Sequence, residues 1–145
     1  LGLEKSIPKK WYKTNEEFIR MTTTIILTTG LYDLIKDHLR RKKVTIEQEE
    51  ILTKELRHAE QILRRDLADD IVTVGKKVTI KELNSNQEYQ LNFVSPEKAK
   101  PKKNRHSILM DEGLATIGYK KGDVIEWPTK EGAKKYEILK VETVA

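Results

Sequence analysis

The chain has 145 residues, with 28 Lys+Arg against 23 Asp+Glu, a formal charge of +5 and a pI near 9.3. That length fits one ordinary domain, or a small domain with an appendage, and 35% charged residues with a mean hydropathy of -0.63 point to a thin core beside a long exposed helical surface. Cys is absent, which excludes thiol catalysis, disulfides and thiolate metal sites, and no apolar run approaches the ~18 residues of a membrane span; the expected setting is the reducing cytoplasm.

Residues 1–20 show no sustained period and read as an appended arm, with one short helical turn capped by Asn15. The β-branched stretch 22–29 reads as a short strand or extended lead-in, and Thr28 or Thr29 as a helix cap. From Gly30, Leu31, Leu34, Ile35, His38 and Leu39 fall on one helical face, closed by Arg40, Arg41, Lys42 and Lys43 at the negative end of the helix dipole. Thr45 and Gln48 have the spacing of a capping box. A second helix is expected to run to about Asp66 on a seam of Leu52, Leu56, Ala59 and Leu63. Two helices joined by so short a link must lie antiparallel, as a short hairpin.

After Asp69-Asp70 the period changes to two. Val72, Val74, Val78 and Ile80 alternate around Gly75, Asn84-Ser85-Asn86 supplies a turn, and Tyr89, Leu91 and Phe93 alternate next. Residues 95–105 form a polar, Pro-punctuated loop, 106–110 a strand, and 113–118 one helical turn between glycines. Val124, Ile125 and Trp127 make a strand ended by Pro128. Lys130 to Gly132 turns into a last strand in which Tyr136, Ile138 and Lys140 alternate. The expected class is α+β: an arm over 1–24, a helical hairpin over 25–69, and a small antiparallel sheet with one short helix over 70–145.

Familiar catalytic and metal patterns are missing. His38, His58 and His106 form no HExxH, and there is no GxSxG, Walker loop or dinucleotide fingerprint. No cofactor or metal is expected. Two basic clusters remain, Arg40–Lys43 and the loop carrying Lys98, Lys100, Lys102, Lys103 and Arg105 against Glu97. Each reads as a solvated surface or as a weak contact for a nucleic-acid backbone, without interleaved aromatics for base stacking. Glu47, Glu49 and Glu50 sit where the helices meet. They favour the start of the second helix through its dipole, and are too few to hold a metal tightly by themselves.

The segment 27–39, LTTGLYDLIKDHL, resembles the opening of the GreA/GreB transcript cleavage factor family. Residues 55–63 with 70–80 resemble its second-helix exit and first strand. The stretch 106–127, HSILMDEGLATIGYKKGDVIEW, resembles the family's most recognisable segment, with Gly118 and Gly122-Asp123 as its most specific part. Residues 134–142 resemble the closing strand, so the likeness covers roughly 25–142. The Ser-Pro that usually follows the Ile strand is replaced here by Asp111-Glu112.

That resemblance implies an FKBP-like sheet domain without prolyl isomerase activity, after an antiparallel coiled coil. In transcript cleavage factors the coiled coil enters the secondary channel of bacterial RNA polymerase, where acidic tip residues position a metal in the polymerase's own centre. Here the first helix spans only roughly 20 Å at 1.5 Å per residue, closer to the short-hairpin relatives called regulator of nucleoside diphosphate kinase (Rnk). The expectation is a non-enzymatic, polymerase-binding transcription regulator docking at the channel rim, with the hairpin partly in the entrance. The docking surface would comprise Asp111, Glu112, Gly113, Gly118, Lys120, Lys121, Gly122 and Asp123, with Glu47, Glu49 and Glu50 at the hairpin tip. The alternative is a genuine cleavage stimulator in which those three glutamates serve the polymerase metal.

Overall fold

The computed structural model describes residues 24–144. The expected arm and the expected Asn15 cap lie outside the described residues. Strand β1 (Ile26–Thr28) leads into helix α1 (Thr29–Arg40), because Thr28 stays extended and its Oγ1 accepts from the Leu31 N–H at 3.4 Å. Helix α2 (Ile46–His58) opens on the expected capping box. Thr45 Oγ1 accepts from the Gln48 N–H at 3.2 Å, and Gln48 Oε1 accepts from the Thr45 N–H at 3.1 Å.

The second helix ends earlier than its periodicity suggests. Ala59 turns extended, and residues Glu60–Ile62 form strand β2, parallel to β1. The Glu60 N–H reaches the Ile25 carbonyl at 2.9 Å, so an open strand edge outcompetes another turn of helix. Leu63, expected in the seam, is instead exposed.

The remaining strands are β3 (Lys76–Glu82), β4 (Gln87–Val94), β5 (Arg105–Ser107), β6 (Val124–Thr129) and β7 (Gly132–Thr143), with helix α3 (Asp111–Thr116) between β5 and β6. Their order is β5-β4-β3-β7-β6. Three corrections to the expected antiparallel sheet follow. First, β5 is short and pairs parallel to β4, since the chain crosses over through two 3-10 turns at Pro96–Lys98 and Pro101–Lys103. Second, Pro128 lies within β6 rather than after it. An edge strand tolerates the missing N–H. Third, β7 carries a bulge: Thr79 pairs with Lys140 and Ile80 with Ile138, leaving Leu139 over. Tyr136 and Ile138 face the core, and beyond the bulge Val141, not Lys140, packs against it.

One apolar cluster joins all of this. Leu31, Ile35, Leu52 and Leu56 from the helices pack with Val78, Ile80, Phe93, Ile125, Trp127, Tyr136 and Ile138 from the sheet. Each fully buried Ile or Leu contributes about 1.5–3 kcal/mol relative to exposure. The helix pair therefore lies folded against the sheet as part of its core, not as a free projection.

Candidate functional site

The helix pair is tied to the sheet at two places along α2. Near its start, the buried Gln48 donates from Nε2 to the Pro128 carbonyl at 2.7 Å and to Asp111 Oδ1 at 3.0 Å. The same carboxylate oxygen accepts from Trp127 Nε1 at 3.2 Å. Gln48 Oε1 is used by the capping box, so the amide is satisfied at both ends and its orientation is set by its partners. Two turns further along, the buried Glu55 accepts from the Tyr119 hydroxyl through Oε2 at 2.6 Å. The capping-box spacing revealed Gln48 only as a local cap. Nothing local marks Glu55 as a tie.

These two ties fall beside the two turns expected to form a docking surface. The Asp111–Gly113 turn joins the start of α2 through Gln48. There Asp111 has a structural task as well as an exposed position, and Glu112 is half-buried. Gly113 is buried: a Cβ would meet the Ile108 carbonyl oxygen at 2.1 Å, so this position exists for close backbone packing. The Gly118–Asp123 turn lies at the other end of β6, about 17 Å away for five residues of extended chain. Gly118 (φ +80°) is buried between β1 and residue 72, donating to the Val72 carbonyl at 3.0 Å and accepting from the Ile26 N–H at 3.3 Å. Asp123 closes the turn by accepting from the Lys120 N–H at 3.0 Å. Lys120, Lys121 and Gly122 are exposed. The expected surface thus divides into displayed side chains (Asp111, Lys120, Lys121) and glycines whose work is internal.

The connection between α1 and α2 is more self-neutralised than its sequence suggests. Arg40 pairs with Asp37, and Arg41 Nε reaches the same carboxylate at 2.8 Å. The Arg40 hydrogen bond, helped by the Arg41 charge, holds the Asp37 carboxyl below its ordinary range. Burial and the Lys43 charge push the neighbouring His38 below the usual imidazole value. Lys42, in a left-handed conformation (φ +56°), ties its Nζ to Glu49 at 3.1 Å. Of the three tip glutamates, Glu47 and Glu50 are exposed and Glu49 is engaged by Lys42. Among the described residues no group of three or more His, Cys, Asp or Glu is arranged to hold a metal ion. At the bottom of the sheet, burial and the charges of Glu112 and Glu82 raise Tyr136 above the ordinary phenol value.

No described helix is long and apolar enough to cross a membrane. The family profile described as "Transcription elongation factor, GreA/GreB, C-term" matches residues 67–143. Transcription elongation factor GreA of Clostridium acetobutylicum is 36% identical over 87 residues, covering 60% of this chain and 55% of that protein. GreA of Clostridium botulinum strain Eklund 17B is 32% identical over 91 residues, covering 63% and 57%. The chain therefore spans about half the length of the curated relatives it matches. A solved structure, the prokaryotic transcription elongation factor GreA/GreB from Nitrosomonas europaea, superimposes with a TM-score of 0.61 at 24% identity, over 83% of this chain and 99% of that one, and shares the fold. With the matched profile spanning β3 to β7 and the turns on either side of β6, the chain belongs to the GreA/GreB transcription elongation factor family.

Proposed function

We propose that this protein is a transcription regulator that binds bacterial RNA polymerase and performs no chemistry of its own. Its sheet domain, read as FKBP-like, docks at the rim of the secondary channel through the two turns that flank β6, with Asp111 and Glu112 at one end and Lys120, Lys121 and Asp123 at the other. The short helix pair stands at the entrance, in the manner of Rnk-type relatives.

The observation that carries this reading is the Gln48 clamp. Gln48 is only the third residue of α2, so Ile46 and Glu47 are all of that helix that lies beyond the tie to Asp111 and Pro128. Carboxylates held so close to the sheet domain do not travel deep into a channel when that domain stays at its rim. Metal help requires contact within roughly 2–2.6 Å, and the geometry favours regulation by occupancy over stimulation of cleavage.

Two measurements test this together. Core polymerase from the same organism should retain the tagged protein in a pull-down, and Lys120→Glu/Lys121→Glu should abolish retention. Added to a backtracked elongation complex, the protein should leave the RNA length unchanged. Shortened RNA that depends on Glu47 or Glu50 would establish the cleavage-factor alternative instead.

A further inference from the structure

At the end of the sheet remote from the Gln48 clamp, Lys76 is 8% exposed, an unusual burial for a lysine. Its Nζ donates to Thr143 Oγ1 at 2.8 Å, and its acidic neighbour, Asp69 Oδ1, stands at 4.0 Å on a fully exposed side chain. A desolvated ammonium is costly unless it meets an anion. A hydroxyl and a distant, freely hydrated carboxylate offset that cost poorly.

Beside Lys76 opens a recess of about 160 Å³, lined also by Arg64, Thr73, Gly75 and Thr143. Gly75 (φ +89°) makes room for a second cation: a Cβ there would approach the Arg64 guanidinium to 3.0 Å. Arg64 donates to the adjacent Val74 carbonyl at a long 3.4 Å, which leaves a planar donor group poised at the rim. Two cations and two threonines line the hollow beside Leu67, Ala68 and Asp69, a donor set whose chemistry suits a tetrahedral oxyanion. The volume is below the ~300 Å³ typical of sites for whole small molecules, so it suits one phosphate group rather than an entire nucleotide.

We propose that the recess between Arg64, Lys76 and Thr143 binds a single phosphate group, with the exposed Asp69 carboxylate at its rim as a like charge that opposes binding. The phosphate arrives free or as the terminal group of a small phosphorylated ligand. This site is separate from the two turns that flank β6 and stands or falls independently of polymerase binding.

The test is titration of the intact protein with inorganic phosphate at constant ionic strength, followed by amide chemical shifts of Gly75, Lys76 and Thr143, with acetate as the control anion. Saturable shifts confined to this recess with a dissociation constant of about 1 mM or tighter are expected. Arg64→Gln, an exposed change, should weaken binding about tenfold, and Lys76→Met should abolish it. Asp69→Asn should tighten binding severalfold, because it removes a like charge beside the anion; a merely structural Lys76–Asp69 pair predicts no such gain. Pyrophosphate binding more tightly than phosphate would identify a terminal phosphate of a larger ligand as the occupant, and equal binding a free phosphate. Absence of saturation, equal shifts with acetate, or phosphate binding indifferent to both Arg64→Gln and Asp69→Asn would overturn the proposal. Should Lys76→Met fail to fold, the two exposed variants decide the matter.

Discussion

Replacing Gln48 by Ala removes the clamp and little else. The variant loses a hydrogen bond to the charged Asp111 carboxylate, one to the Pro128 carbonyl, and the side-chain half of the capping box. A bond to a charged group contributes about 1.5–3 kcal/mol and a neutral one about 0.5–1.5. Asp111 keeps Trp127 Nε1 as donor and is exposed enough to be rehydrated, which limits the loss. The expected destabilisation is about 3 kcal/mol, or about 12 °C in Tm at roughly 4 °C per kcal/mol for a domain of this size. Thermal unfolding followed by circular dichroism measures it, with Glu47→Ala as the exposed neighbour expected to stay within about 0.5 kcal/mol. Gln48→Glu should be worse near neutral pH, because two carboxylates would then face each other, and should partly recover in acid. A double-mutant cycle with Asp111→Ala should return a coupling of about 1–2 kcal/mol. Equal stability of Gln48→Ala and Glu47→Ala, or a coupling near zero, would refute the clamp and with it the argument that the start of α2 is pinned to the sheet domain.

Gly113→Ala should destabilise severely, by about 3 kcal/mol or more, since its Cβ runs into backbone at 2.1 Å. Gly122→Ala, strained only by φ +94° in open space, should cost about 1–2 kcal/mol by denaturant titration. Tyr119→Phe removes the hydroxyl that donates to the buried Glu55 side chain and should lower stability by about 1–3 kcal/mol in urea. Replacing Glu47, Glu49 and Glu50 together by Ala should leave polymerase retention intact while lowering Tm slightly, each acid contributing at most about 1 kcal/mol through the helix dipole. Asp37, held below the ordinary carboxylate range, supports the fold above that range and ceases to as pH falls through its depressed value. A Tm–pH series of Asp37→Asn should therefore show a shallower acid limb than the wild type.

Apart from the family resemblance, what was legible in the sequence was local. Thr28 capping α1, the reciprocal Thr45–Gln48 box, the turn at Asn84-Ser85-Asn86 and the alternation through Tyr89, Leu91 and Phe93 are all written within a few residues, where side chain and backbone meet whatever the rest of the chain does. The glycines of the Gly118–Asp123 turn were also visible, although their internal role was not. Tertiary structure alone decided that α2 stops at His58, because the Ile25 carbonyl just before β1 accepts from the Glu60 N–H. It alone turned β5 parallel and left Leu139 over in a bulge that reverses which later residues of β7 face the core. The same holds for the site. Gln48 spends its local oxygen on Thr45, as the sequence implies. Its nitrogen goes to Asp111, 63 positions away, and to Pro128, 80 away. A hydrogen bond across such a separation forms only after the sheet and core have brought both ends together. No pattern within one helix or strand encodes it.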